Sequence, residues 1–178
     1  MSKRHFAGWR SVPPSAPPNL RAWLVDRDSL TAAVLARCQH LQIRVLSQGP
    51  AWVLPDEAAT VGVAPGQLAW VREVALVADG RPWIWARSVA SLTDLRHGWR
   101  RLAGLGARSL GAALFADRRV ARGRLTSRPL GRYDPRQRAA AGLFGSGHAR
   151  LWARRSVFRR STARILVTEV FAPDVPAR

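Results

Sequence analysis

Lysine is almost missing from this chain of 178 residues: Lys3 stands alone, so 28 of its 29 basic residues are arginines. Acids are scarce as well, eleven in all, and only Glu57, Glu73 and Glu169 are glutamates. The one cysteine, Cys38, excludes an internal disulfide and fits a reducing cytoplasm. Four histidines, His5, His40, His97 and His148, lack any metal-ligand spacing, so neither a metal nor an organic cofactor is expected. Apolar runs such as Val74 to Ala78 fall far short of the ~20 residues of a membrane helix, and no apolar segment of an export signal follows Lys3, Arg4 and Arg10. No membrane span is therefore expected.

What is present points to one domain. At 47% hydrophobic residues, with ordinary glycine and proline content, the chain can bury a core of its own and is neither disordered nor fibrous. The formal charge of +18 asks for an anionic partner, unless codon composition accounts for the arginine excess. A nucleic-acid binder should show a basic stripe on a recognition helix, an aromatic RNP-like strand or a zinc-finger spacing. None occurs, and the arginines are scattered along the whole chain. The expectation is a small acidic ligand and no nucleic acid.

Residues 1–18, with Pro13, Pro14, Pro17 and Pro18, predict an extended arm; a helix follows from Asn19, and a second, capped by Asp28 or Ser29, runs Leu30 to Cys38. Period-two patterns then predict strands at Leu41 to Leu46, Gln67 to Ala78 and Pro82 to Ala90, the last two joined at Asp79-Gly80, a strong hairpin signal. Leu92 to Leu105 and Ser109 to Phe115 read as short, glycine-broken helices forming a lid. Strands return at Arg118 to Thr126, Leu151 to Phe158 and Arg164 to Phe171, while Ser127 to His148 reads as a loop insertion. The class is α+β: about six strands in an antiparallel sheet, with helices gathered on one side.

A two-residue hairpin loop pairs Leu76 with Trp83, Val74 with Trp85 and Arg72 with Arg87, placing both arginines on one apolar face. Like charges opposite one another are unfavourable unless an anion lies between them, and two guanidinium forks suit a carboxylate. Separate pairing of each arginine with a protein carboxylate is the blander alternative. On the last strand Glu169 shares a face with Ile165, Val167 and Phe171. It is either part of a site or the partner of Arg154, which lies opposite if the final turn is Ser161-Thr162. The run Gly142 to Gly147 lacks the strand and Lys-Ser/Thr ending of a phosphate loop.

Three blocks, VREVALVADGRPWIWARSV (Val71 to Val89), LGARSLGAALF (Leu105 to Phe115) and LWARRSVFRRSTARILVTEVFAP (Leu151 to Pro173), resemble the chorismate pyruvate-lyase (chorismate lyase) family, with a weaker match at RDSLT (Arg27 to Thr31). The resemblance implies a six-stranded antiparallel sheet whose helical flaps close over an internal cavity. It also implies elimination of pyruvate from chorismate to give 4-hydroxybenzoate, toward ubiquinone, in a monomer with no cofactor. By position, Arg72 matches the arginine that holds the ligand carboxylate, Glu169 the glutamate near the ring hydroxyl, Leu30 and Leu110 ligand-contacting flap residues, and Arg87 a second active-site arginine. Glu169 could take the ring proton or only orient the hydroxyl. Leu30 replaces a frequent methionine, and Ala86 stands where glycine can occur. The other readings are a non-catalytic ligand-binding domain of the same fold, for which an N-terminal winged helix is expected, and a basic nucleic-acid binder.

Overall fold

The computed structural model describes residues 8–11, 15–64 and 66–178. Most of the expected arm, Pro13 and Pro14 included, lies outside them; of the rest, Arg10 forms an isolated bridge with Ser127, and α1 (Pro18–Val25) begins at Pro18, whose fixed φ suits a first helical turn. Then come α2 (Leu30–Leu35), β1 (Leu41–Ala51), α3 (Pro55–Val61), β2 (Ala69–Ala78) and β3 (Arg81–Ala90). The short helices α4 (Leu92–His97), α5 (Arg100–Ala103) and α6 (Leu110–Ala116) precede β4 (Val120–Arg122), β5 (Thr126–Pro129), α7 (Pro135–Phe144), β6 (Trp152–Arg160) and β7 (Ala163–Phe171).

All strand pairs are antiparallel, in the order β1-β2-β3-β7-β6-β4, with β5 also on β6. The sheet thus has seven strands rather than six, because the stretch expected as one strand from Arg118 splits at Gly123. A Cβ at Gly123 would press on the Val157 carbonyl at 3.0 Å. Helices lie on both faces, not one. Leu20, Trp23, Leu24, Leu30 and Val34 of α1 and α2 pack with Val74, Leu76, Ile84 and Phe171, and Leu102, Leu110 and Leu114 pack beside them on Trp70, Phe158 and Ile165. On the back face Val61 of α3 joins Val71, Val89 and Leu166, and Ala140 of α7 joins Trp85, Ala153 and Val170. Burial on both sides explains why β2 and β3 read as almost unbroken apolar runs.

The segment expected as a loop insertion, residues 127–148, therefore holds part of β5 and all of α7. Asp134 caps the helix by accepting from Arg136 N at 3.0 Å, Pro135 fills the first position, and Gly145 ends it at φ +61°.

The Asp79-Gly80 turn forms as expected, with both residues at positive φ (48° and 80°) and Ala78 opposite Arg81. One step on, the ladder slips. Val77 pairs with Pro82 but Leu76 pairs with Ile84, so Trp83 is extruded as a bulge beside a proline that has no N–H to give. Every later residue of β3 moves to the opposite face from the unbulged register. Arg72 stands opposite Ser88, and Arg87 opposite Glu73.

Tight packing of the lid on the sheet is testable at Gly98, which closes α4: a methyl group there would overlap the Ala163 side chain. Gly98→Ala should lower the unfolding free energy by about 1–3 kcal/mol, read from denaturant midpoints at unchanged slope.

Candidate active site

Between the sheet and the helices α2 and α6 lies a cavity of about 50 Å³, several times the space one water needs. Alternation along the strands aims two cross-strand rows into it. Arg72, Ser88, Val167 and Ser156 stand opposite one another in the first, and Val74, Ala86, Glu169 and Arg154 in the second. Leu30, Leu110, Leu114, Phe115 and Phe158 supply apolar walls.

Arg72 is 1% exposed. Its Nη2 donates to the carbonyls of Gly106 (2.9 Å) and Arg108 (3.1 Å), which ties the loop before α6 to the sheet, while Nε has no partner. Among the described residues no carboxylate pairs with it, and burial pulls its pKa below the ordinary arginine value. A cation kept out of water without a counter-ion is costly, and an anion entering the cavity would relieve that cost.

Glu169 meets Arg154 across β6 and β7, Nε to Oε2 at 2.5 Å, as the Ser161-Thr162 turn predicts. Arg154 is fully buried and also donates through Nη1 to the carbonyls of Trp23 (2.5 Å) and Asp26 (2.9 Å). The two sequence readings of Glu169 coexist: it is ion-paired and it lines the cavity. Leu30 and Leu110 are the first residues of α2 and α6. Ser29 and Ser109 cap those helices, and the Thr31 and Ser109 hydroxyls lie 2.8 Å apart, clasping one flap to the other.

Arg87 does not join this group. The Trp83 bulge turns it to the back face, where its Nε donates to Glu57 Oε1 at 3.0 Å and its Nη1 to Glu73 Oε1 at 2.5 Å. Burial works against its charge, but the two carboxylates outweigh burial and raise its pKa. The shared anion site expected between Arg72 and Arg87 therefore does not form: Arg87 is matched by two protein carboxylates on the far side of the sheet, and Arg72 stands apart from it on the cavity face.

A second cavity arginine is one that sequence reasoning missed. Arg122 of β4 lines the cavity, donates from Nε to Ser156 Oγ at 2.9 Å, and holds its guanidinium 5.6 and 5.3 Å from the ring centres of Phe115 and Phe158. Nothing in the local pattern marks it, since Arg118, Arg119 and Arg124 crowd the same stretch. No group of three or more His, Cys, Asp or Glu among the described residues could hold a metal, and no helix there is long and apolar enough to cross a membrane.

The chorismate lyase family model matches residues 9–177. Proteins from Aromatoleum aromaticum (45% identical, 96% of this chain and 95% of that protein) and Azoarcus sp. (45%, 94% and 91%) are similar to this chain, as is one from Dechloromonas aromatica (44%, 89% of each). All three are named probable chorismate pyruvate-lyase. Among solved structures, the fold is similar to that of PhnF from Mycobacterium smegmatis at 18% identity (TM-score 0.61, 84% of this chain, 66% of that one). It is also similar to the effector domain of PhnF (18%, TM-score 0.57, 83% and 90%).

Because Arg87 and Glu57 hold the back face together, Arg87→Ala should act on stability. Leaving the fully buried Glu57 short of a partner should cost about 3–5 kcal/mol in unfolding free energy. In whatever fraction remains folded, the KM for the cavity's ligand should stay within about twofold of the parent.

Proposed function

The chain belongs to the chorismate lyase family, and from that premise we propose that it eliminates pyruvate from chorismate to give 4-hydroxybenzoate, in the cytoplasm and toward ubiquinone. The observation that carries this reading is the Arg72 guanidinium, buried at the edge of an apolar cavity with no carboxylate of its own. Its planar fork suits the ring carboxylate, and the apolar walls suit the ring.

In the reaction the C3–O bond of the substrate breaks and its electron pair leaves with the enolpyruvyl oxygen. The proton on C4 passes to the methylene carbon of the departing enolpyruvyl group, which leaves as pyruvate, and the C4–H electron pair forms the C3–C4 double bond that completes the aromatic ring. Aromatisation supplies much of the driving force, so the protein's task is to bind, orient and exclude water. Arg154 occupies Glu169 Oε2, and among the described residues none donates to Oε1. Glu169 is therefore assigned the positioning role, accepting from the C4 hydroxyl and setting the ring so that the C–O and C–H bonds are aligned.

Purified protein mixed with chorismate should form 4-hydroxybenzoate and pyruvate in equal amounts; binding without turnover would instead support a non-catalytic effector-like domain. Arg72→Ala should cost about 2–5 kcal/mol in kcat/KM, with only partial recovery in Arg72→Lys, because a point charge lacks the fork.

The clasp between Thr31 and Ser109 makes a further outcome expected. The product retains the carboxylate that matches Arg72, so flap opening should limit turnover and rapid mixing should show a burst. Thr31→Val should raise the steady-state rate relative to the burst; a linear trace in the parent would place the limit in the chemistry.

A further inference from the structure

Arg122, half-buried, shares with Arg72 the lack of an ion-pair partner among the described residues, and on β4 it stands opposite Phe158, next to the row that Arg72 begins. Across the sheet the row runs Arg72, Ser88, Val167, Ser156, and Arg122 on the neighbouring β4 reaches Ser156 through Nε. β2 and β4 are four strand spacings apart, roughly 19 Å, so two long side chains converge on the cavity from opposite sides. Arg122 Nη1 donates to the carbonyls of Arg27 (2.5 Å) and Asp28 (3.5 Å). Among the described residues, Nη2 donates to no protein acceptor.

Glu169 is paired with Arg154 and Asp26 with Arg178, and Asp28, which lines the cavity but is exposed, makes no ion pair with Arg122. Burial works against the Arg122 charge, which Glu169 supports only through space. The T-shaped Phe115–Phe158 pair (5.8 Å, 85°) holds the guanidinium in place by cation–π contact without neutralising it. The cavity therefore has two cations without a carboxylate partner among the described residues, Arg72 buried and Arg122 half-buried, with Glu169 on the floor between them.

We propose that Arg122 is a second carboxylate subsite, which holds the carboxylate of the enolpyruvyl group while Arg72 holds the ring carboxylate. The inference rests on the lyase reading above. It has a chemical consequence: Arg122 binds only the part of the substrate that leaves. Charge that develops on the departing enolpyruvate falls on a fixed guanidinium, and the aromatic product no longer touches it. Arg72 serves substrate and product alike, whereas Arg122 serves substrate and transition state.

That asymmetry is measurable. In Arg122→Gln, kcat/KM for chorismate should fall about 100-fold while the Kd of 4-hydroxybenzoate, followed by tryptophan fluorescence, stays within about threefold of the parent. Arg122→Lys should recover part of the loss, and Arg72→Gln should weaken both quantities together. An unchanged kcat/KM in Arg122→Gln, or equal losses in substrate and product, would overturn the assignment. Because Arg122 also braces the Arg27–Asp28 turn, the parent protein provides an arm that needs no folded variant. There, 3-(carboxymethoxy)-4-hydroxybenzoate should displace 4-hydroxybenzoate at concentrations about tenfold below its 3-methoxy counterpart, since only the first carries the second carboxylate. Equal potency of the two would reject the subsite. Failure of the parent to release pyruvate from chorismate would reject the lyase reading instead, and the ligand pair would still report on Arg122.

Discussion

The structure turns on a positive charge buried without a counter-ion among the described residues. Arg72 lies in the middle of β2, the strand that pairs with both β1 and β3, and its Nη2 fastens the Gly106–Arg108 loop over the cavity. Such a group is a standing cost to the folded state, offset in part by two carbonyls and fully only by an anion. The lid is thus organised around the same guanidinium that is proposed to bind the ligand. Loss of Arg72 unties the loop as well as removing the charge.

The two faces of the sheet treat arginine in opposite ways. Behind it, Arg87, Arg136 and Arg155 are matched by Asp56, Glu57, Glu73 and Asp134, all partly or fully buried, and Trp9 lies against Arg136, Arg155 and Arg128. Four of the chain's eleven acids are spent on this network. On the cavity side only Arg154 receives a carboxylate of its own from the cavity-lining residues. Of the two acids that line the cavity, Glu169 is taken by Arg154 and Asp28 makes no ion pair with Arg72 or Arg122, so the scarcity of acid visible in the composition is felt at the site.

What could be read in the sequence followed from local rules that the fold does not override. The Asp79-Gly80 turn, the Ser161-Thr162 turn and the helix start at Leu30 after Asp28-Ser29 each depend on a few adjacent residues, and so Glu169 opposite Arg154 was legible, whereas Leu30 and Leu110 were marked as flap residues by the family resemblance alone. The Arg72–Arg87 pair was not, because strict alternation presumes an unbroken ladder and a bulge leaves no mark in apolar periodicity. Helix α7 was hidden by its own composition: Arg136 and Gln137 look like solvent-facing residues, yet both are buried in polar contacts, Arg136 with Asp56 and Asp134 and Gln137 with the backbone of Ala149 and Leu151. Arg122 was illegible for a different reason, since its role depends on β6 and on two phenylalanines from separate elements.

One inserted residue therefore sets the electrostatics of the whole molecule. Without the Trp83 bulge, Arg87 would face the cavity beside Arg72, two cations at one end of the ligand and none held by Glu57 and Glu73 behind. The fully buried Glu57 would lose its closest cation and keep the Leu54 N–H at 3.0 Å and Arg136, whose Nη1 lies 3.8 Å away. With the bulge, the serine at position 88 takes the place opposite Arg72, and the back face gains a matched ion pair. The cavity's cations then stand at its two ends, on β2 and β4, rather than side by side. That spacing suits a ligand with carboxylates on two different groups, and the imino-ring Pro82, unable to donate to the ladder, is the local feature that lets the register slip where it does.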